Sequence, residues 1–288
     1  MRVTHQTGSD SVLSNLRRQS GQILKTQETI ASGKRINKAS DDPRAMSRIL
    51  DTRQLLSTLN QYQRNITQGE LRMDTLETTL ATVDDFLDRA RNIVIHASQD
   101  ADMQAVLADD VAKIREQVVQ LANNRLDDTY LFAGNNTATA PFLGDGTYTG
   151  DGGSYHIRVG QTSEVVLQVD GNTVFKDTED IFLILEELQT ALESGDSVQV
   201  QSQAAPLARF QEHLQNVRAE IGGSRDQMET SANYLDNFIH RMETYLADME
   251  EADLTEAVLA LQLQNTVYEA ALVAAGDLLQ PSLLQFLR

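Results

Sequence analysis

Residues 45–97 decide the fold, and they read AMSRILDTRQLLSTLNQYQRNITQGELRMDTLETTLATVDDFLDRARNIVIHA. One stripe recurs every seven residues and contains Ala45, Thr52, Leu59, Ile66, Met73, Leu80, Leu87 and Val94. A second stripe follows three residues behind it and contains Arg48, Leu55, Tyr62, Gly69, Leu76, Val83, Ala90 and Ala97. Two such stripes form the seam of a coiled-coil helix, here roughly 80 Å long. Asp42 is placed to cap its first turn, and Pro43 suits the first helical position.

A second helical arm toward the C-terminus is equally regular. Its first stripe contains Leu207, Leu214, Ile221, Met228, Leu235, Met242 and Met249. Its second stripe contains Phe210, Val217, Ser224, Ser231, Phe238, Tyr245 and Ala252. The small residues around Gly222 predict a narrow contact or a weak point there. Apolar spacing predicts two further helices, one over about 103–125 and a shorter one over 181–193 that ends at Gly195.

The sequence between the two arms has a different composition. Residues 134–171 hold eight of the 16 glycines, and Asp-Gly pairs mark three turns. Apolar residues alternate at 155–159 and again at 165–169. This pattern predicts a small β insert of hairpins.

The two ends of the chain form a third zone. Leu16, Ile23 and Ile30 are seven residues apart; at the far end Leu254, Leu261, Tyr268 and Ala275 form one stripe, and Val258, Asn265, Leu272 and Leu279 form another. The heptad phase changes between each terminal pattern and the neighbouring arm, near 32–42 at the N-terminal end and near 250–253 at the C-terminal end. If the two ends run side by side, these two breaks lie at the same level along the molecule. Asn265 either fixes the register of the seam or faces water.

Short terminal helices that extend from a rod have no core of their own. The last segment, 283–287, is apolar on more than one side. Such helices become stable only by packing against other copies or a partner. The sequence therefore predicts a protein that polymerises or docks.

Composition excludes several classes of function. The 288 residues carry a formal net charge of −18, with a net of +6 over 1–64 and −9 over 226–288. A nucleic-acid partner is not expected at that charge, and the basic and acidic ends are suited to attract each other. The absence of cysteine excludes disulfides and thiolate chemistry. We expect no membrane insertion and no cleavable signal peptide, because no run is apolar enough.

No constellation of reactive residues emerges. Asp236 and His240 lie four residues apart, a spacing that a helix-stabilising pair explains better than a metal site. Asp145 and Asp151 fit hairpin turns better than a calcium loop. We therefore expect no enzymatic activity, no metal and no cofactor.

Three segments together resemble the flagellin superfamily. Residues 30–43, IASGKRINKASDDP, are similar to its N-terminal signature, and residues 253–287 are similar to its C-terminal helix. The central DTYLFAG at 128–134, followed by Pro141-Phe142, and the LLQFL ending are typical of the hook–filament junction branch.

The resemblance implies a mainly α fold, in which a long antiparallel coiled-coil or helical-bundle rod formed by the N- and C-terminal regions carries a small central β domain. Residues 1–42 and 250–288 would be terminal assembly helices, 43–133 and 178–249 the helical rod, and 134–177 the exposed β-rich outer domain. The expected assembly interface comprises Leu16, Ile23, Ile30, Leu254, Val258, Leu261, Asn265, Tyr268, Leu272, Leu279, Leu283, Leu284 and Phe286. The expected domain-joint motif comprises Ser32, Gly33, Arg35, Ile36, Asn37, Asp41, Asp42 and Pro43.

The resemblance also implies a role and partners. The chain would self-assemble as an adaptor between the first hook-associated protein and flagellin, outside the cell, after export through the flagellar type III apparatus. A cytosolic export chaperone would hold its C-terminal helix. The alternatives are a small filament flagellin and a coiled-coil tether or chaperone that does not polymerise.

Overall fold

The computed structural model describes residues 2–97, 103–167, 169–177 and 179–279. In chain order the elements are α1 Arg2–Ser32, α2 Pro43–Ala97, α3 Gln104–Ala122, β1 Arg125–Leu126, β2 Thr129–Tyr130, β3 Tyr155–Arg158, β4 Glu164–Leu167, α4 Gly171–Phe175, α5 Ile181–Ser194, α6 Ser197–Ser202, α7 Ala204–Glu250 and α8 Leu254–Leu279. The prediction of a mainly α protein with a small β region is confirmed. No helix in the described ranges is both long and apolar enough to cross a membrane.

The chain divides into two compact units. The terminal unit comprises Met1–Ser57 with Ile239–Arg288, and the central unit comprises Thr58–Phe238. Helices α2 and α7 each contribute residues to both units.

The heptad stripes of α2 and α7 supply the core of the central unit. Their buried apolar members are Leu59, Ile66, Met73, Leu76, Leu80, Val83, Leu87, Ala90, Val94 and Ala97 on α2, and Leu207, Phe210, Leu214, Val217, Ile221, Met228 and Leu235 on α7. Polar contacts flank this seam: Arg218 on α7 pairs with Glu77 at 2.7 Å and with Asp84 at 3.1 Å on α2. The predicted pairing of the two arms is confirmed within this unit.

Helices α3 and α5 pack against each other. The carboxylate of Asp180 accepts hydrogen bonds from the amides of Phe182 and Leu183, which begins α5. Gly195 ends it with a φ of +72°, a left-handed conformation that glycine adopts at low cost. Both predicted helices are confirmed, with α3 slightly shorter than expected.

The β insert is smaller than predicted, because part of it forms an aromatic core. Phe142, Phe175 and Phe182 lie with ring centroids 5.1–6.0 Å apart. Asp170 accepts hydrogen bonds from two amides of α4, so the chain turns into a short helix after β4. The prediction of a strand through 169 overlooked this cap.

The hairpin of β3 and β4 rests on the middle of α2. Strand β3 pairs antiparallel with β4, with Tyr155 opposite Leu167 and Arg158 opposite Glu164. Gly69 permits the close approach, since a Cβ there would lie 2.4 Å from the Cε of Met228 and 2.6 Å from the Cδ1 of Ile157. This buried glycine therefore fixes where the hairpin docks on the helix.

Candidate functional site: the paired joint and the terminal helices

Two breaks in helical structure meet in the terminal unit. α1 ends at Ser32 and α7 ends at Glu250. The Arg35 amide donates to the carbonyl of Glu250 at 2.7 Å, and the Ala252 amide donates to the carbonyl of Gly33 at 3.0 Å. The prediction that the breaks lie at matching levels is therefore confirmed. We call this region the paired joint, meaning residues 32–43 and 249–253.

Gly33 makes the first break possible. Its φ is +71°, in the left-handed region that a side chain disfavours, and its amide still donates to the carbonyl of Thr29 at 2.9 Å. The Ser32 hydroxyl then accepts a hydrogen bond from the Lys34 amide at 3.1 Å. α1 thus ends with a closed turn that directs the next residues toward the end of α7.

A carboxylate with two cations lies at the centre of the paired joint. The Glu250 carboxylate contacts Lys34 Nζ at 2.7 Å and the guanidinium of Arg53. Burial alone would raise the pKa of Glu250, but the hydrogen bonds and charges of Lys34 and Arg53 outweigh it and hold that pKa below its usual range. Arg35 completes the contact by donating from Nη2 to the carbonyl of Met249 at 3.0 Å.

The loop between α1 and α2 is organised around a second carboxylate. Asp41 contacts Lys25 Nζ at 2.8 Å, and its other oxygen accepts from the amides of Asn37 and Lys38. The hydrogen bonds from Lys25 and from these amides lower the pKa of Asp41. Ile36, which is part of this loop, is buried. The Asn37 side chain donates to the carbonyl of Lys34 at 3.1 Å.

Each new helix then begins with an aspartate cap. Asp42 accepts hydrogen bonds from the amides of Arg44 and Ala45, both at 3.0 Å, and Pro43 occupies the first turn of α2, as predicted. Asp253 does the same for α8 through the amides of Thr255 and Glu256, at 2.8 and 3.1 Å. Sequence reasoning passed over Asp253, although an aspartate followed three residues later by a glutamate is typical of a helix start.

α1 and α8 pack together through a narrow seam. Half-buried residues recur along α1 at Val12, Leu16, Gln19, Ile23, Thr26 and Ile30, and along α8 at Ala257, Leu261, Gln264, Tyr268 and Ala271. Thr26 donates to the side-chain oxygen of Gln264 at 3.0 Å across this seam. Ala275, 5% exposed, is the one buried apolar side chain in the described part of these two helices.

The seam differs from the predicted one by a single residue on α8. Leu261 and Tyr268 belong to it, but Ala257, Gln264 and Ala271 accompany them instead of Val258, Asn265 and Leu272. Leu254, Val258 and Leu272 are exposed, and so is Asn265, which within this unit faces water. The side chain of Leu279 and residues Leu283, Leu284 and Phe286 lie outside the described part of the chain.

A further apolar stripe on α8 is exposed to solvent. Leu259, Leu263 and Val267 follow one another at four-residue intervals and so share a face. All three are exposed, and Leu263 is 67% exposed. Exposed leucines and valines on several sides of one helix are typical of an interaction surface rather than of a solvated helix.

The paired joint also borders an open groove of about 630 Å³ between α1 and α8. Lys25 and Arg35 line it together with the carboxylates of Asp41, Asp253 and Glu256. The described residues contain no cluster of three metal-ligating side chains, and both Asp145 and Asp151 accept backbone hydrogen bonds in turns. The arrangement present at this site is suited to contact between polypeptide chains.

Comparison with known proteins shows which family the chain resembles. Residues 3–137 match the family described as bacterial flagellin N-terminal helical region. The chain is a flagellar structural protein, and the part matched here is similar to the flagellin superfamily.

Within that superfamily the chain is similar to proteins named flagellar hook-associated protein 3. It is 24% identical to the one from Salmonella typhimurium over all of both chains, and 26% identical to the one from Escherichia coli over 91% of this chain and 92% of the relative. It is also 24% identical to a flagellin from Halalkalibacterium halodurans, over 92% of this chain and 91% of the relative.

The fold is shared with a solved structure as well. A putative flagellar hook-associated protein from Vibrio parahaemolyticus superimposes with a TM-score of 0.68 at 18% identity. The match covers 73% of this chain and all of the other.

Proposed function

We propose that this chain is the hook–filament junction adaptor of a bacterial flagellum. In this role it polymerises through α1 and α8, with the first hook-associated protein on one side and flagellin on the other. One observation carries the proposal: α8 uses one face to pair with α1 and leaves other apolar residues, including Leu259 and Leu263, exposed to solvent. Full-length similarity to proteins named hook-associated protein 3 supports the junction role over other flagellar roles.

The proposed site is the paired joint together with α1 and α8. The joint contributes two capped helix starts and an ion pair between Lys34 and Glu250, which holds residues 32–43 beside residues 249–253. The predicted division into terminal assembly helices, helical rod and β-rich outer part belongs to this proposal. So does the view that the chain is not an enzyme.

The proposal includes a route and a location. The chain leaves the cytosol through the flagellar type III apparatus and acts outside the cell, and a cytosolic chaperone covers its C-terminal helix before export. The exposed leucines of α8 support this last step, because apolar surface of that kind promotes association before assembly.

A deletion strain tests the proposal directly. Cells that lack the gene are expected to carry hooks without filaments and to release flagellin into the medium. Complementation with the wild-type gene restores filaments, whereas Leu263→Asp does not, because a charge on the exposed stripe prevents packing of α8 against neighbours. Leu183→Asp is a matched control, since Leu183 is 53% exposed but lies on α5 in the central unit. Normal filaments in the deletion strain contradict the proposal.

A small filament flagellin is the second candidate. Similarity to the Halalkalibacterium halodurans flagellin over most of both chains favours it. Quantifying this protein in sheared filaments separates the two roles: a filament subunit makes up the bulk of the preparation, whereas a junction protein is a minor component.

A third alternative is a coiled-coil tether or chaperone that does not polymerise. Hydrogen exchange on the monomer distinguishes it, because a self-sufficient coiled coil protects its terminal helices fully. The assembly proposal expects rapid exchange there, since the α1–α8 seam is narrow and mostly half-buried.

A further inference from the structure

Helix α1 has an exposed apolar stripe of its own. Leu13 is 47% exposed and Leu24 is 63% exposed. The two leucines are about three helical turns apart, so they lie on the same side of the helix. Ser20 and Gly21 lie between them, and a Cβ added to Gly21 would meet nothing within 4 Å. The stripe therefore consists of two leucines with a gap of small residues between them.

The groove between α1 and α8 shows on which side the α8 stripe lies. Lys25 and Thr29 line this groove from α1, and Glu256 lines it from α8. Leu259 and Leu263 follow Glu256 at helical intervals of three and then four residues. Residues at such intervals share one side of a helix, so the exposed α8 stripe lies on the groove side of the helix pair.

The leucines of α1 lie on the other side of the pair. Successive residues of an α-helix point about 100° apart. From the centre of the seam, Thr29 is turned toward the groove, whereas Leu13 and Leu24 are turned the opposite way. The exposed residues Val258 and Leu272 of α8 are turned to the same side as these leucines. We call the side with Leu259, Leu263 and Val267 the groove face, and the side with Leu13, Leu24, Val258 and Leu272 the back face.

Charge favours contact between unlike helices of two copies. α1 contains four lysines and arginines against two acidic residues, whereas α8 contains three acidic residues and no lysine or arginine. Arg17 and Arg18 of α1 are exposed, and so are Glu256 and Glu269 of α8. A contact between two copies of α8, or between two copies of α1, brings like charges together. A contact between α8 and the α1 of a second copy brings opposite charges together.

Contact between unlike faces also continues from copy to copy. When two copies join through the same face, the contact closes on itself and assembly stops at a dimer. When the groove face of one copy meets the back face of another, each copy keeps one face for the next, and assembly extends as a ring or helix. This inference rests on the proposed polymerisation through α1 and α8, and it adds which faces meet.

We propose that the groove face of one copy binds the back face of a second copy. Leu263 of the first copy packs beside Gly21 of the second, in the gap between Leu13 and Leu24. A leucine fits there because the glycine leaves open space and the flanking leucines supply apolar contact. The partner of the exposed α8 stripe is therefore the α1 of another copy and not a second α8.

Disulfide trapping in assembled protein tests the proposal, because the chain has no cysteine of its own. Gly21→Cys and Leu263→Cys chains, one of them labelled with heavy nitrogen, are mixed, assembled and oxidised. A disulfide needs Cβ atoms within about 4.5 Å, so mixed dimers should dominate in mass spectra. Gln22→Cys is the matched control, since Gln22 is exposed at the next position but lines the groove, and its yield with Leu263→Cys should be about tenfold lower. Dimers formed mainly between two Leu263→Cys chains overturn the proposal.

A size change at the same position gives a second measurement. Gly21→Leu fills the gap and should raise the protein concentration needed for assembly, measured by light scattering, about tenfold. Gln22→Leu should change that concentration less than about twofold. Equal effects of the two changes contradict the assignment, also where a cysteine variant fails to assemble. Wild-type polymers without the mixed disulfide overturn only this choice of faces, whereas a wild-type chain that forms no polymer overturns the proposed function as well.

Discussion

The Nζ of Lys34 lies 2.7 Å from Oε1 of Glu250, although the two residues are 216 positions apart in the chain. Arg53 contacts the other oxygen of the same carboxylate. One largely buried glutamate thus joins the loop after α1, the first part of α2 and the end of α7.

Replacing this glutamate should weaken the terminal unit. We expect Glu250→Gln to lower the free energy of unfolding by about 1–2 kcal/mol, because two cations lose their partner in a mostly buried setting. The measurement is urea denaturation followed by far-ultraviolet circular dichroism. Glu251→Gln, at the exposed neighbouring position, should change stability by less than about 0.5 kcal/mol. Equal effects of the two changes contradict the assignment.

The same pair predicts how stability depends on pH. The pKa of Glu250 is lower in the folded chain than the ordinary value of 4.5, so folding favours its ionised form. Its contribution is therefore complete above pH 4.5 and disappears as the pH falls through the lowered folded-state pKa. The stability difference between wild type and Glu250→Gln should follow that course in denaturation series from pH 7 to pH 3. A difference that stays constant over this range would show that the charge of Glu250 is not responsible.

Two glycines of the terminal unit should respond in opposite ways to alanine. Gly33→Ala places a Cβ on a residue with φ of +71° and should cost about 1–2 kcal/mol, because the left-handed conformation is strained for alanine. Gly21→Ala lies inside α1 with nothing within 4 Å of its new Cβ. It should stabilise α1 by about 0.5–1 kcal/mol. Thermal melts of the two variants that shift in the same direction would contradict this account of the break.

Packing at Gly69 makes a prediction for the central unit. Gly69→Ala should destabilise the protein by about 1–3 kcal/mol, because its Cβ would overlap Met228 and Ile157. Combining it with Ile157→Val removes one of the overlapping methyl groups and should recover part of the loss. Gly222→Ala, in α7 with open space around it, is the control and should be neutral or stabilising. Additive effects of Gly69→Ala and Ile157→Val would contradict direct contact.

Two leucines of α8 should separate chain stability from assembly. Leu272 is 45% exposed, so Leu272→Asp should leave monomer unfolding within about 0.5 kcal/mol of wild type while blocking assembly. Leu261 lies in the seam with α1, and Leu261→Asp should weaken that pairing by about 1–2 kcal/mol. Urea denaturation followed by far-ultraviolet circular dichroism reports the pairing, and light scattering reports assembly. Unimpaired assembly of Leu272→Asp would exclude its side of α8 from the interface.

The long helices were predictable because heptad spacing is a local property of the sequence. Most stripe members from Leu59 to Val94 on α2 and from Leu207 to Leu235 on α7 are buried, as their spacing predicted. The end of α5 was equally visible, since Gly195 supplies a conformation that few other residues adopt. Asp42 and Pro43 likewise marked the start of α2 from the sequence alone.

What the sequence did not reveal depends on contacts between distant residues. The pairing of Glu250 with Lys34 and Arg53 has no local signature, although the break in phase at 250–253 marked the place. The register of α8 was misjudged by one residue because leucines and valines lie on several of its faces, so hydrophobicity alone did not identify the side that meets α1. The buried position of Arg72 was also invisible, since only the folded hairpin encloses it.

Helix α8 has two kinds of apolar surface, and the contacts that they make depend differently on protein concentration. Pairing of Leu261 and Tyr268 with α1 is intramolecular, so its rate and extent do not depend on how many chains are present. Any contact made through Leu259, Leu263 or Leu272 requires a second molecule and therefore depends on protein concentration. At low protein concentration, a chain can pair α8 with its own α1 while the remaining leucines stay exposed to solvent. A high local concentration of chains then starts assembly.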